Sequence, residues 1–269
     1  MPLRRPRKQA KAGQTAVAGK GLIPDSDVHS YIGSERVTGV YLSPDHRHLA
    51  VVTGATRLSL YRLNGEKLGE KLSEHLVTLF PRIVWSHDGT KLAFVNPDEK
   101  AEILDVPSGK STTLDSAVSV AFYPDGSRLA AMGKKKLTIW QVDPLRTVRA
   151  APLRAGAKTD LSHSGRPALG ISPDGRRLAR GTETCTVQVI EMEGMRVVNE
   201  FMGHRNLIND LEWLGPDTLA TASHDRTIRI WDVAADRQLR ILEAEDNFYG
   251  ISYSSALGYL ERYSIPPCD

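Results

Sequence analysis

Pro216-Asp217-Thr218-Leu219-Ala220-Thr221-Ala222-Ser223-His224-Asp225-Arg226-Thr227-Ile228-Arg229-Ile230-Trp231-Asp232 reads as a turn, an apolar run, a second polar turn and another apolar run. Its opening turn recurs at Pro44-Asp45, His87-Asp88, Pro124-Asp125 and Pro173-Asp174, giving Asp-to-Asp spacings of 43, 37, 49 and 43 residues. Proline presets φ at the first corner of such a turn, and Asp bonds back to nearby backbone. Gly89, Gly126 and Gly175 supply a positive φ where the next strand begins.

The runs on either side behave as consecutive antiparallel strands. Ahead of the first turn Val37, Val40 and Leu42 are apolar, and behind it comes Leu49-Ala50-Val51-Val52. The same second-strand run returns as Lys91-Leu92-Ala93-Phe94, Arg128-Leu129-Ala130-Ala131, Arg177-Leu178-Ala179-Arg180 and Thr218-Leu219-Ala220-Thr221. Third strands follow at Leu58-Tyr61, Ala101-Leu104, Leu137-Trp140, Val187-Ile190 and Ile228-Trp231. No helical period competes. A repeat of roughly 40–45 residues with about four strands per unit is that of a propeller blade. The fold class expected is therefore all-β: a β-propeller of four-stranded antiparallel blades over residues 25–269, with about six blades.

Gly203-His204, Ile208 to Trp213 and Leu219 to Asp232 together resemble a complete WD repeat. The other four copies keep the turn and strand runs but end in Tyr61-Arg62, Leu104-Asp105, Trp140-Gln141 and Ile190-Glu191. The second copy, from Ile83 to Pro107, is equally similar to the propeller repeats of TolB-like or peptidase-associated proteins. The resemblance to the WD-repeat family implies that an N-terminal strand completes the last blade. Val28-His29-Ser30-Tyr31-Ile32 is suited to that role, and Phe248-Tyr253 and Tyr259-Tyr263 match a first and second strand of a sixth blade. That blade is then three-stranded, or the ring is incomplete and needs a partner chain or a second copy, or the sequence is a fragment of a larger ring. A closed or nearly closed ring is favoured, because open strand edges invite aggregation.

The same resemblance implies roles for particular residues. His204, Ser223, Asp225 and Trp231 match the hydrogen-bonded tetrad that locks loop to strand in a WD blade, a structural set and not a Ser-His-Asp catalytic triad. WD-repeat propellers read peptides with residues at the leading ends of their first strands. Here Arg36, Thr38, Asn209, Asn247 and Tyr249 take those positions, an Arg and an aromatic among amides. The positions supply no acid, which counts against a small-ligand or hydrolase-associated propeller.

At 269 residues and 41% apolar content the chain can bury a large core. Its formal charge of +3 is unevenly placed. Residues 1–24 hold Arg4, Arg5, Arg7, Lys8, Lys11 and Lys20 with no acid, so that the rest carries 29 basic against 32 acidic residues. The composition predicts a disordered basic N-terminal tail over 1–24, read first as a solvated extension with no specific partner, with three functional uses competing: contact with nucleic acid or an acidic surface, nuclear import, or organelle transit. No apolar secretory segment follows the basic start, and no membrane span is legible. Two cysteines, Cys185 and Cys268, make no disulfide framework, so the cytoplasm is the default location, with the nucleus open to a eukaryotic protein. His46 and His48 lack a third ligand at local spacing, so no metal is expected, and no cofactor motif or catalytic set occurs. Lys134-Lys135-Lys136 reads as a solvated hairpin tip that could touch phosphate. The functional expectation is a non-catalytic scaffold for a protein partner. The alternative is a nucleic-acid-associated factor working through the tail.

Overall fold

The Asp-centred turn is a small hydrogen-bonded knot with a second member, a serine two residues earlier. Ser43 Oγ donates to Asp45 Oδ1 and accepts from His48 N. Ser86 with Asp88 and Ser172 with Asp174 repeat this at 2.6 Å, each serine accepting the backbone N–H five residues on, from Lys91 and Arg177. The positive φ falls on Gly89, Gly126 and Gly175, and in the first copy on His46 at 59°. Tyr123 replaces the serine in the third copy, and in the fifth the residue two before Asp217 is Gly215.

The computed structural model describes residues 37–54, 56–65, 67–78, 81–153, 168–243, 250–254 and 259–263. They form 22 strands and no helix. Sheet one holds β1 (Val37–Leu42), β2 (His48–Thr53), β3 (Arg57–Asn64) and β4 (Lys67–Leu76). Sheet two holds β5 (Val84–Trp85), β6 (Lys91–Val95), β7 (Lys100–Asp105) and β8 (Lys110–Ser116). Sheet three holds β9 (Ser119–Phe122), β10 (Arg128–Met132), β11 (Lys136–Gln141) and β12 (Arg146–Pro152). Sheet four holds β13 (Leu169–Ile171), β14 (Arg177–Gly181), β15 (Val187–Glu191) and β16 (Arg196–Phe201). Sheet five holds β17 (Ile208–Trp213), β18 (Thr218–Ser223), β19 (Thr227–Asp232) and β20 (Arg237–Glu243). A sixth, two-stranded sheet pairs β21 (Gly250–Ser254) with β22 (Tyr259–Tyr263). Each of the first five is an antiparallel meander in chain order, as the repeat predicts.

Because side chains alternate across a strand, the second-strand run sends its residues to two neighbours at once. Leu129 and Ala131 join a core with Ala93, Val95 and Ile103 of sheet two. Ala130 and Met132 join Leu169, Leu178 and Ile190 of sheet four. Equivalent cores unite sheets one and two, four and five, and five and six. Indole N–H groups tie inner strands together: Trp85 donates to the Tyr41 carbonyl and Trp213 to that of Gly170, both at 3.2 Å. A sheet buried on both faces cannot stand alone, so stacking supplies most of the stability.

The stack curls around an axis. Arg82, just ahead of β5, pairs with Asp210 of β17 at 2.9 Å, joining sheets two and five across 128 residues of sequence. In a ring of six sheets these two stand opposite, which is the propeller arrangement. The N-terminal strand expected at Val28–Ile32 and the tail over 1–24 lie outside the described residues. Of the long third interval, Arg146–Pro152 is β12, the outer strand of its sheet, while 154–167 lie outside the described residues.

Antiparallel order gives the ring two unlike faces. The first-to-second and third-to-fourth turns share one, here the turn face. The second-to-third hairpins and the connections between sheets share the other, the loop face.

Candidate functional site

On the loop face of sheet five, His204 Nδ1 bonds Asp225 Oδ2 at 2.8 Å, and Nε2 bonds Thr221 Oγ1 at 2.8 Å. Trp231 Nε1 donates to the same Thr221 oxygen at 2.8 Å. The hydroxyl joining imidazole to indole is thus Thr221's, and Ser223, expected there, is bonded elsewhere. Ser223 Oγ donates to the Asn206 carbonyl and accepts from Asp225 N. Register explains the exchange. Trp231 lies opposite Leu219, so its indole reaches the diagonal neighbour Thr221, whereas Ser223 is a further step along β18.

The imidazole side chain is wholly buried and the Asp225 carboxylate nearly so, at 0% and 5% exposure. Burial pushes the His204 pKa down against the pull of Asp225, favouring the neutral ring. Burial would raise Asp225, but hydrogen bonds from Thr227, Arg205 N and His204 outweigh it and bring the carboxyl to about 2. Phe201 stacks on Trp231 at 4.9 Å and closes the set. Every polar atom here serves the blade, and no nucleophile is presented to solvent.

The axis holds a second polar set that sequence reasoning missed. Asp210 and Glu212 share the axial face of β17, two residues apart. Asp210 Oδ1 accepts from Arg82, and Oδ2 accepts from Ile251 N of β21 at 3.1 Å, so one carboxylate links sheets two, five and six. Burial, reinforced by the charge of Asp210 and opposed by Arg82, raises the Glu212 carboxyl to about 7. Tyr41 of β1 is also raised by burial, with Arg82 and Asp210 both in electrostatic reach. The only legible signal was Asp-x-Glu on a first strand, since Arg82 is distant in sequence.

Of the channel-mouth residues, Thr38 is exposed at the start of β1, its hydroxyl donating to the Val52 carbonyl, and Asn209 sits half-buried in the bulge of β17. The two strands belong to sheets one and five. Arg36, Asn247 and Tyr249 lie outside the described residues. Among the described residues no three His, Cys, Asp or Glu side chains are grouped to hold a metal. His46 occupies the left-handed turn position, and His48 stacks on Trp85. In the lysine run, Lys134 pairs with Glu99 and Lys136 with Asp115, so much of its charge is met within the protein. No described helix is long and apolar enough to cross a membrane.

Comparison with known proteins bears on the same segment. The family model described as WD domain, G-beta repeat matches residues 195–232. Protein HIR1 of Cryptococcus neoformans var. neoformans serotype D is 28% identical over 180 residues, which cover 58% of this chain and 20% of that protein. The Ribosome biogenesis protein WDR12 homolog of Culex quinquefasciatus is 36% identical over 58 residues, 22% of this chain and 14% of its own length. Its namesake in Drosophila persimilis is 26% identical over 106 residues, 34% and 25% of the two chains. The matched region is thus a quarter or less of each of these relatives.

Proposed function

We propose that this chain, a member of the WD-repeat family, is a non-catalytic scaffold that presents the loop face of its ring to a protein partner. The observation that carries the reading is the Arg82–Asp210 pair across the axis, which with the stacked cores makes the face a preformed surface. A preformed surface loses little conformational entropy on binding, so modest contacts suffice for affinity. Thr38 and Asn209, together with Arg36, Asn247 and Tyr249, are the residues proposed to meet the partner. The polar sets at His204 and at Asp210 serve the ring's integrity in this reading, and no reaction is assigned to them. The test is cross-linking mass spectrometry on complexes captured by the wild-type chain and by a Thr38→Arg, Asn209→Ala variant. Loss of a defined partner from the variant supports the reading, and identical partner sets and cross-links refute it.

A second reading is favoured by the six basic residues without an acid in 1–24. There the tail contacts nucleic acid while the ring recruits proteins, a role compatible with a nuclear as well as a cytoplasmic location. Two relatives are named for ribosome biogenesis, and an RNA-rich assembly would suit such a tail. Deleting 1–24 should then abolish RNA binding that weakens steeply with salt. Equal binding by the truncated chain refutes it.

A further inference from the structure

On the turn face, a groove of about 470 Å³ runs between sheets three and four. Four arginines line it: Arg128 at the start of β10, Arg149 from β12, Arg176 from the β13–β14 turn and Arg177 at the start of β14. Its floor is apolar, from Ile139 and Met192.

The groove lies where the repeat departs from its own pattern. In sheets one, two and four the turn carries Ser43, Ser86 and Ser172, but in sheet three that position is Tyr123. The ring of Tyr123 is buried, and the guanidinium of Arg128 lies over it at 4.0 Å from the centroid. Arg149 reaches across the groove and donates to the carbonyls of Met192 and Glu193. These carbonyls orient the guanidinium without neutralising it.

Five acids border the groove, and most are already engaged: Asp174 accepts from Ser172 Oγ and the Arg176 N–H and lies in electrostatic reach of Arg177 and Arg176. Asp217 pairs with Arg177, and Asp125 lies 3.9 Å from Arg128. Glu191 accepts the backbone N–H groups of Glu193 and Gly194 and faces Arg196. Among the described residues neither Arg149 nor the exposed Arg176 forms an ion pair within 4 Å, although the Asp174 charge acts on Arg176. Glu193 on the rim offsets part of this surplus.

We propose that this groove is a docking site for an acidic segment of a partner protein, with carboxylates on Arg149 and Arg176 and an intervening apolar side chain on the Ile139–Met192 floor. Arginine suits the task because its planar fork takes a carboxylate in two parallel hydrogen bonds. The volume lies in the usual range for ligand pockets, roughly 300–1,000 Å³. A nucleic-acid strand fits less well: it needs a continuous basic track and open rings for stacking. Here acids flank the positive spot, and the Tyr123 face is occupied by Arg128. The site is on the opposite face from the channel-mouth residues, so it stands or falls independently of them.

The test is fluorescence anisotropy on the full chain with a short labelled peptide of alternating Glu and Leu. Saturable binding is expected, about tenfold weaker for Arg176→Glu and for Arg149→Gln. Arg240→Glu on the exposed strand β20 should leave it unchanged, as should replacement of the label, and the Gln/Leu peptide should not bind. Arg176 is held by backbone groups alone, its N–H donating to Asp174 and its carbonyl accepting from Met192 N, so its variant should melt with the wild type even if Arg149→Gln does not. Equal binding by Arg176→Glu and wild type overturns the proposal. So does preference for a single-stranded oligoribonucleotide, or binding of a phosphoserine peptide without the Glu peptide.

Discussion

Glu212→Gln should make the protein more stable at pH 8 than the wild type while leaving the two alike near pH 5. The carboxyl is raised from 4.5 to about 7 by burial, with Asp210 adding to the rise and Arg82 opposing it. Between those values the folded chain holds a proton that the unfolded chain has released. Unfolding is therefore favoured progressively as pH rises through the window, and the full cost is present above it. At about 1.36 kcal/mol per pH unit the cost comes to about 3 kcal/mol. Glutamine keeps the neutral shape and removes the titration. For a protein of this size that difference corresponds to about 6–12 °C in melting temperature. Urea unfolding of both proteins at half-unit steps from pH 5 to 8 measures it, and groups common to both cancel in the difference. Parallel stability curves across that range would refute a buried, protonated Glu212 at the axis.

Thr221→Val keeps the side-chain shape but leaves His204 Nε2 and Trp231 Nε1 without their shared partner. A loss of about 2–4 kcal/mol is expected in urea unfolding, and a loss below about 0.5 kcal/mol would mean that the hydroxyl does not link the set. Arg82→Ala and Asp210→Ala in a double-mutant cycle should show a coupling of about 1 kcal/mol or more, since the pair is only about one-fifth exposed. Additive losses would indicate that sheets two and five do not meet across the axis in solution.

What was legible in the sequence is what the backbone repeats. The turn at Asp45, Asp88, Asp125, Asp174 and Asp217 and the runs that follow it place the strands, because local turn chemistry and period-two burial act within a few residues. Strand register then decides contacts that spacing leaves open. Ser223 and Thr221 point the same way from β18, and only the pairing of Trp231 with Leu219 selects Thr221 as the indole's partner. The axial set was hidden for a different reason. Arg82 and Asp210 are brought together by the curl of the stacked sheets, and nothing local at either position marks the other. The serine of the turn knot is legible as Ser43, Ser86 and Ser172, two residues before the more obvious Asp. Once it is read, Tyr123 stands out as the departure that opens the arginine groove.

The Arg82–Asp210 pair also bears on how the molecule comes apart. A row of repeats joined only to nearest neighbours can fray from either end, each unit opening on its own account. A chord between the second and fifth units removes that freedom. Losing sheet five breaks the chord held by sheet two, and the Ile251 amide on the same carboxylate draws the short sixth sheet into the same event. Local openings thus merge into one larger cooperative unit, in which amide protons of β5, β17 and β21 exchange together instead of in graded order along the chain.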